Sequence, residues 1–384
     1  MSNDSAGAPR PLPDRPNLRH LKDQARDLLR AGKAKSLADA QFRIARLYGF
    51  ASWPKLKAHV DALELSGQLK QAIDANDLDS VRDLMTHHPE LHRAPLGYKK
   101  NGPLTWVAEC RIPWEPPGPV RLTMAQWMID NGSDVHQGGD GPLMRASLRG
   151  DRAPMMELLV ANGADVNARW DGRFPIIFAP CETVQPVALK WLLDRGARHP
   201  GALDYAIGTY SRSPDLAQCI DLLLEAGTPT KYDLPGVLNM LRGRLDGLSD
   251  PELVNRRYAE LDFGSTAYRR LRLSGATLLH VAAEYGLTDA ARFLLDHGAD
   301  VNARASVHGQ TPVFHAVSQF DDYGIEVTRL LLDRGADVSL RVALPGHYEQ
   351  PDETVECTPL GYALRFPGVE EGTVALLRER GAPE

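Results

Sequence analysis

A spacing constrains this chain more than its composition does. Gly132, Gly163, Gly196, Gly227, Gly298, Gly335 and Gly381 sit in the strings NGSDV, NGADVNA, RGARHP, AGTPT, HGADVNA, RGADVSL and RGAPE. Each string follows an apolar helix end such as MELLVANG, LKWLLDRG or TRLLLDRG. The glycines are separated by 31, 33, 31, 71, 37 and 46 residues, which sets a base period of about 32 residues. A unit that short has too little surface to bury its own apolar face, so its copies must stack on one another. With 384 residues, 43% of them hydrophobic and 24% charged, the chain can build a long stack and has no disordered composition.

A second series precedes the first by about half a period: GPLTWVAE, GPLMRASLRG, FPIIFAP, GALDYAIG, TLLHVAAEYG, TPVFHAV and TPLGYAL. Proline after Thr or Gly starts a short inner helix where its missing N–H costs nothing, and paired alanines let neighbouring inner helices approach. The Leu-Leu pair buries an outer helix. The glycine behind it can turn left-handed and stop that helix, and the D-V-N segment extends as a hairpin toward the next copy. The whole pattern, T-P-L-H-x-A-A-x-x-G followed by L-L-x-x-G-A-D-V-N-A, resembles the ankyrin repeat, and residues 277–303 nearly match its consensus. The resemblance implies an all-α fold, an ankyrin-repeat α-solenoid of helix–turn–helix–hairpin units.

In HHPELHRA (87–94) and DPELVNRR (250–257), Pro-Glu-Leu replaces the Gly-Ala-Asp ending. The 71-residue interval therefore hides a shortened copy at 233–258, and residues 66–384 hold about nine units. LKQAIDANDLDSVRDLM and GTVALLRERGAPE read as the polar terminal copies that keep a stack soluble.

Ahead of the array the period is absent. Residues 1–16 read as a polar, proline-rich disordered leader without the apolar core of a secretory signal. Residues 17–65 read as three short helices, with Ser36 and Ser52 as N-caps and Gly49 as a stop. Residues 15–60 carry a net charge of +8, which leaves −13 on residues 61–384 within the total of −6. The segment LADAQFRIARLYGFASWPKLKAHV resembles a module found ahead of the repeats in bacterial ankyrin proteins, which implies a bacterial source. We expect this basic module to cap the first repeat, with Phe50 and Trp53 in its core. The alternatives are docking onto the acidic body, or binding nucleic acid or another anionic partner as a helix-turn-helix, with Lys55 and Lys57 facing phosphates.

Catalytic and metal-binding patterns are not found. Cys110, Cys181, Cys219 and Cys357 are too dispersed for CxxC spacing and read as cytoplasmic thiols. His280 occupies the T-P-L-H position, where its expected role is to hydrogen-bond the adjacent turn and hairpin. No phosphate loop, nucleophile elbow or HExxH string occurs, and the adjacent Asp321 and Asp322 read as solvated loop residues. We therefore expect no enzyme, no cofactor, no small-molecule cofactor partner, no metal and no membrane span.

What remains is surface. Positions just after the paired alanines, at the edge of the array's concave face, include Glu109, Arg149, Tyr285, Gln319 and Phe366. One residue ahead of the first alanine runs a partly aromatic series, Trp106, Arg145, Phe178, Tyr205, Val281, His315 and Tyr362, expected mainly to pack. Three insertions break the period. RIPWEPPGPVR (111–121) presents Trp114 on a proline-stiffened loop, and 340–357 is acidic. The finger 255–275 holds five Arg, among them Arg269, Arg270 and Arg272, interleaved with Tyr258, Phe263 and Tyr268. Arginine and aromatic residues are what interface hot spots are rich in, so this finger leads as the partner-binding element, against the reading that it folds back to fill the shortened copy. Trp170, at a hairpin tip, is the last candidate. The expected function is a non-catalytic cytoplasmic scaffold or regulator that binds an unidentified protein partner.

Overall fold

The structure is a computed structural model, and it describes residues 9–13, 16–96, 101–111, 115–263, 271–346, 352–366 and 369–384. The chain divides into two compact units, Met1–Pro142 and Leu143–Glu384.

The first unit begins with α1 (Leu18–Arg30), whose first turn is capped by the Asn17 side chain accepting from Arg19 N and His20 N, and α2 (Leu37–Leu47), capped by Ser36, whose hydroxyl accepts from Asp39 N. Leu21, Ala25, Ala40, Ile44, Ala45, Leu56 and Val60 form the core of this head, with Phe50 and Trp53 packed at its edge. Residues 9–13 do not stand off as a leader: Leu12 packs against that core and Arg10 N–H donates to the Leu47 carbonyl at 2.8 Å. The next helix, α3 (Trp53–Asp74), runs without a break past residue 65, where a module boundary is expected from the sequence. Gly67 costs it about 1 kcal/mol relative to alanine, too little to stop a helix packed at both ends. Its first half buries Leu56 and Val60, and its second half buries Leu69, Ala72 and Ile73 against α4 (Leu78–His87) and α5 (Pro103–Glu109). α6 (Pro119–Asp130) then packs on α5. Proline opens both α5 and α6.

The division at Pro142 falls within α7 (Gln137–Ala146). The second unit continues with α8 (Ala153–Ala161), a two-residue antiparallel ladder of β1 (Arg169–Trp170) and β2 (Phe174–Pro175), and α9 (Phe178–Glu182) with α10 (Pro186–Asp194). There follow α11 (Ala202–Gly208) with α12 (Leu216–Glu225), the short α13 (Val237–Leu241) and α14 (Pro251–Val254), and α15 (Leu278–Glu284) with α16 (Thr288–Asp296). The unit closes with α17 (Pro312–Ala316) and α18 (Ile325–Asp333), the hairpin β3 (Val342–Pro345) and β4 (Thr354–Cys357), and α19 (Pro359–Ala363) with α20 (Glu371–Glu379).

The helices pair and stack as the period requires. Inner helices pack in the series α15, α17, α19, and outer helices in the series α16, α18, α20. All seven series glycines have positive φ, between 74° and 110°, a conformation in which an L side chain is strained. The hairpin asparagine of one copy then ties to the next. Asn302 Nδ2–H donates to the Gly335 carbonyl at 3.0 Å, and its Oδ1 accepts from Asp337 N at 2.8 Å. Asn167 does the same toward Gly196 and Arg198. Asn255, in the deviant PELVN ending, does it toward Gly298 and Asp300, so 250–255 makes the same linkage as a standard hairpin.

Candidate functional site

Of the twelve candidate surface residues, Trp114, Tyr268, Arg269 and Arg270 lie outside the described residues. Five others are buried: Glu109, Tyr258, Tyr285, Gln319 and Phe366. Most of the positions after the paired alanines, expected at an exposed edge, are here buried or half-buried. Gln319 Nε2–H donates to the His315 carbonyl at 2.7 Å, and Phe366 packs on Tyr362 with centroids 4.9 Å apart. Arg149 is half-buried, with Nε and Nη2 both on the Asp151 carboxylate at 2.6–3.2 Å. Trp170 is half-buried at the head of an aromatic run: it meets Phe174 edge-on, Phe174 meets Phe178, and Phe178 stacks on Tyr205 at 4.3 Å. Only Arg272 is exposed.

The described part of the finger folds back. Tyr258 has no exposed surface, and its hydroxyl donates to the Pro235 carbonyl at 2.6 Å; burial pushes its phenol up to about 12. Tyr258 N–H donates to Ala276 O, Gly275 N–H to Tyr258 O, and Leu273 N–H to Phe263 O. Leu261, Phe263, Leu271 and Leu273 are buried with it, and Phe263 lies edge-on to Tyr232 and Tyr285. This stem fills the space beside the short helices α13 and α14, so the expectation that Tyr258 is a partner contact gives way to packing.

Between α15 and α17 lies a buried polar network. Glu284 has no exposed side-chain surface. Arg212 Nη2 reaches its Oε1 at 2.6 Å, and His315 Nδ1 lies 2.6 Å from its Oε2. Arg212 stacks 4.4 Å over Tyr285, whose hydroxyl donates to the Ile207 carbonyl. The residues thus clamp α15 to α11 across 72 and 78 residues of sequence. Burial opposes the Arg212 charge, but the Glu284 carboxylate together with Tyr285 and Tyr323 outweighs it, so the guanidinium is held above its usual range.

His280 behaves as its position in the T-P-L-H string implies. Its Nδ1 accepts from Thr277 N–H at 3.2 Å and is 2.9 Å from Thr277 Oγ1, which leaves Nε2–H to donate to the Gln310 carbonyl at 3.1 Å. A second ring proton has no place there, and burial, with His315 alongside, holds its pKa down at about 3. Between that value and the ordinary one of about 6.5, the unfolded chain takes up a proton that the folded chain refuses. Stability is therefore intact above pH 6.5 and falls below it. Acidification from pH 6.5 to 5 should cost up to about 2 kcal/mol through this group. Urea unfolding of the wild type and of His280→Gln at both pH values tests this; an equally steep decline in the variant would assign the loss elsewhere.

The loops that follow α11 and α17 enclose a cleft of about 590 Å³. Arg212, Thr183, Tyr210, Phe320, Asp321 and Tyr323 line it. Tyr210 is 43% exposed, yet its hydroxyl donates to Glu182 Oε1 at 2.7 Å, and Tyr205 donates to Glu182 Oε2 at 3.0 Å. Burial, and then the Glu182 carboxylate, raise the Tyr210 phenol. Asp321 and Asp322 both have positive φ, 51° and 53°, a conformation that costs free energy away from glycine. Asp322 is not a solvated loop residue, because its Oδ1 accepts from Thr373 N at 3.0 Å and Thr373 Oγ1 at 2.5 Å, capping α20. Asp321 stays exposed. Sequence reasoning missed this cleft; its only signal was a pair of non-repeating loops, SRSPD and FDDYG, at equivalent places.

Among the described residues no group of three His, Cys, Asp or Glu side chains could hold a metal ion, and no helix is long and apolar enough to cross a membrane. The four cysteines are free and buried, with the Cys219 thiol pushed up to about 12 by burial. A family model for three copies of the ankyrin repeat matches residues 249–342, and one for a single ankyrin repeat matches residues 138–171. The chain therefore contains ankyrin repeats and is a mostly helical repeat protein. No curated protein matches it.

Proposed function

We propose that this chain is a non-catalytic scaffold or regulator, an array of about nine ankyrin units over 66–384 that binds a protein partner on its inner-helix side in a bacterial cytoplasm. The observation that carries the reading is the set of ankyrin repeats at 138–171 and 249–342, a repeat that generally mediates protein–protein interaction. The basic head would cap the array. With the finger's stem packed inside, its contribution to binding would fall to Tyr268, Arg269 and Arg270 and to the exposed Arg272 that follows them in sequence, and Trp114 of the 111–121 loop remains a separate candidate. Affinity capture from the native cell, comparing the wild type with the Y268A/R269A/R270A variant, tests it. The expected result is one protein lost from the variant's capture while the thermal midpoint is unchanged. A collapsed midpoint would place the tip in the packing instead.

A second reading is favoured by the head, where Arg19, Lys22, Lys33, Lys35, Arg46 and Lys55 are all exposed. Binding of nucleic acid there would weaken steeply between 50 and 200 mM salt. No shift of a DNA or RNA duplex by the full chain at low salt would remove it.

A further inference from the structure

The cleft beside Arg212 combines aromatic walls, one exposed carboxylate and a cation that is already spoken for. Arg212 Nε–H donates to the Glu284 carbonyl at 3.1 Å, Nη1–H to the Thr209 and Ser211 carbonyls at 2.5 and 3.1 Å, and Nη2–H to the Glu284 carboxylate at 2.6 Å. Its side chain is only 5% exposed. It has little left to offer an incoming anion, which would also meet the exposed Asp321 carboxylate. A cation finds the opposite. Tyr210 is pinned by Glu182 while keeping 43% of its surface open. Phe320 and Tyr323 stand on the other loop, and Asp321 is exposed beside them. The backbone that carries Asp321 is fixed by the Asp322 cap on α20. The wider charge balance agrees, since residues 61–384 carry −13.

We propose that this cleft receives an arginine side chain from a basic segment of the protein partner. The rings cover its methylene stem and offer faces to the guanidinium, whose planar fork suits both stacking and a paired contact with Asp321. A volume of about 590 Å³ is in the range of pockets that enclose one ligand group. The inference rests on the protein-binding reading above and adds the chemistry of the partner.

The test uses the full chain and three fluorescein-labelled hexapeptides in which glycine alternates with arginine, lysine or glutamate, followed by fluorescence anisotropy. The arginine peptide should bind more tightly than the lysine peptide, and the glutamate peptide should not bind. Asp321→Asn tolerates the same left-handed backbone and should weaken the arginine peptide about tenfold, or about 1.4 kcal/mol. Tyr210→Ala should do at least as much. Glu225→Gln, the same charge change on the exposed end of α12, should change nothing, which separates the cleft from general attraction to an acidic body. Equal weakening by Glu225→Gln, or unchanged affinity with Asp321→Asn at an unaltered thermal midpoint, overturns the proposal. Should Asp321→Asn still capture the same cellular protein as the wild type, the cleft assignment falls while the scaffold reading stands. Should neither protein capture any partner, both fall.

Discussion

Replacing Arg212 with methionine should destabilise the unit Leu143–Glu384 by about 3–5 kcal/mol, the usual cost of removing one member of a buried ion pair. Methionine restores most of the apolar volume, so the loss would come from the Glu284 carboxylate, which has no exposed side-chain surface and would lose the guanidinium that balances its charge. For a unit of this size that is a fall in Tm of about 6–20 °C. The clinching measurement is the double variant Arg212→Met/Glu284→Gln. A neutral amide in place of the carboxylate relieves the stranded charge, so the double variant should be more stable than Arg212→Met alone, although it has lost more native contacts. If the single variant lies within 1 kcal/mol of the wild type in urea unfolding, water must reach Glu284 and the clamp between α11 and α15 is not as described. The same experiment bears on the cleft, because Arg212 lines it, and D321N binding should be measured in the intact Arg212 background.

The stacking elements were readable from the chain because each has a local cause. Proline at 103, 119, 312 and 359 starts helices, the series glycines stop others through positive φ, and the His280 hydrogen bonds follow from the T-P-L-H string alone. Asn255 shows how far such reading extends: PELVN departs from GADVN in its first three residues, yet the asparagine that ties one copy to the next is kept. What was not readable depends on which copies meet. The residues after the paired alanines were expected at an exposed edge, but Tyr285 is buried with Phe263 of the folded-back finger against its ring and its hydroxyl on the Ile207 carbonyl, and Gln319 is buried with its amide turned back onto the His315 carbonyl. The partnership of Arg212 with Glu284 spans 72 residues and arises only because the short α13 and α14 leave α11 and α15 to be joined. No period in the sequence encodes that. For the same reason the Asp321–Asp322 pair looked solvated, whereas one of the two caps a helix 51 residues further on.

The finger supplies the sharpest separation of packing from binding. Tyr258→Ala should cost about 3–5 kcal/mol, the range for deleting a large buried aromatic side chain, because the ring is fully enclosed and its backbone anchors the return strand at Ala276. Tyr258→Phe should cost only about 1 kcal/mol, the worth of the hydrogen bond to the Pro235 carbonyl. Arg272→Ala, exposed on the same stem, should stay within about 0.5 kcal/mol. Urea unfolding of the three variants gives the order directly. A partner-binding Tyr258 would produce the reverse pattern, with stability kept and capture of the partner lost. If Tyr258→Ala is as stable as Arg272→Ala, the stem does not fill the shortened copy, and the whole of 255–275 returns to the surface as a candidate for recognition.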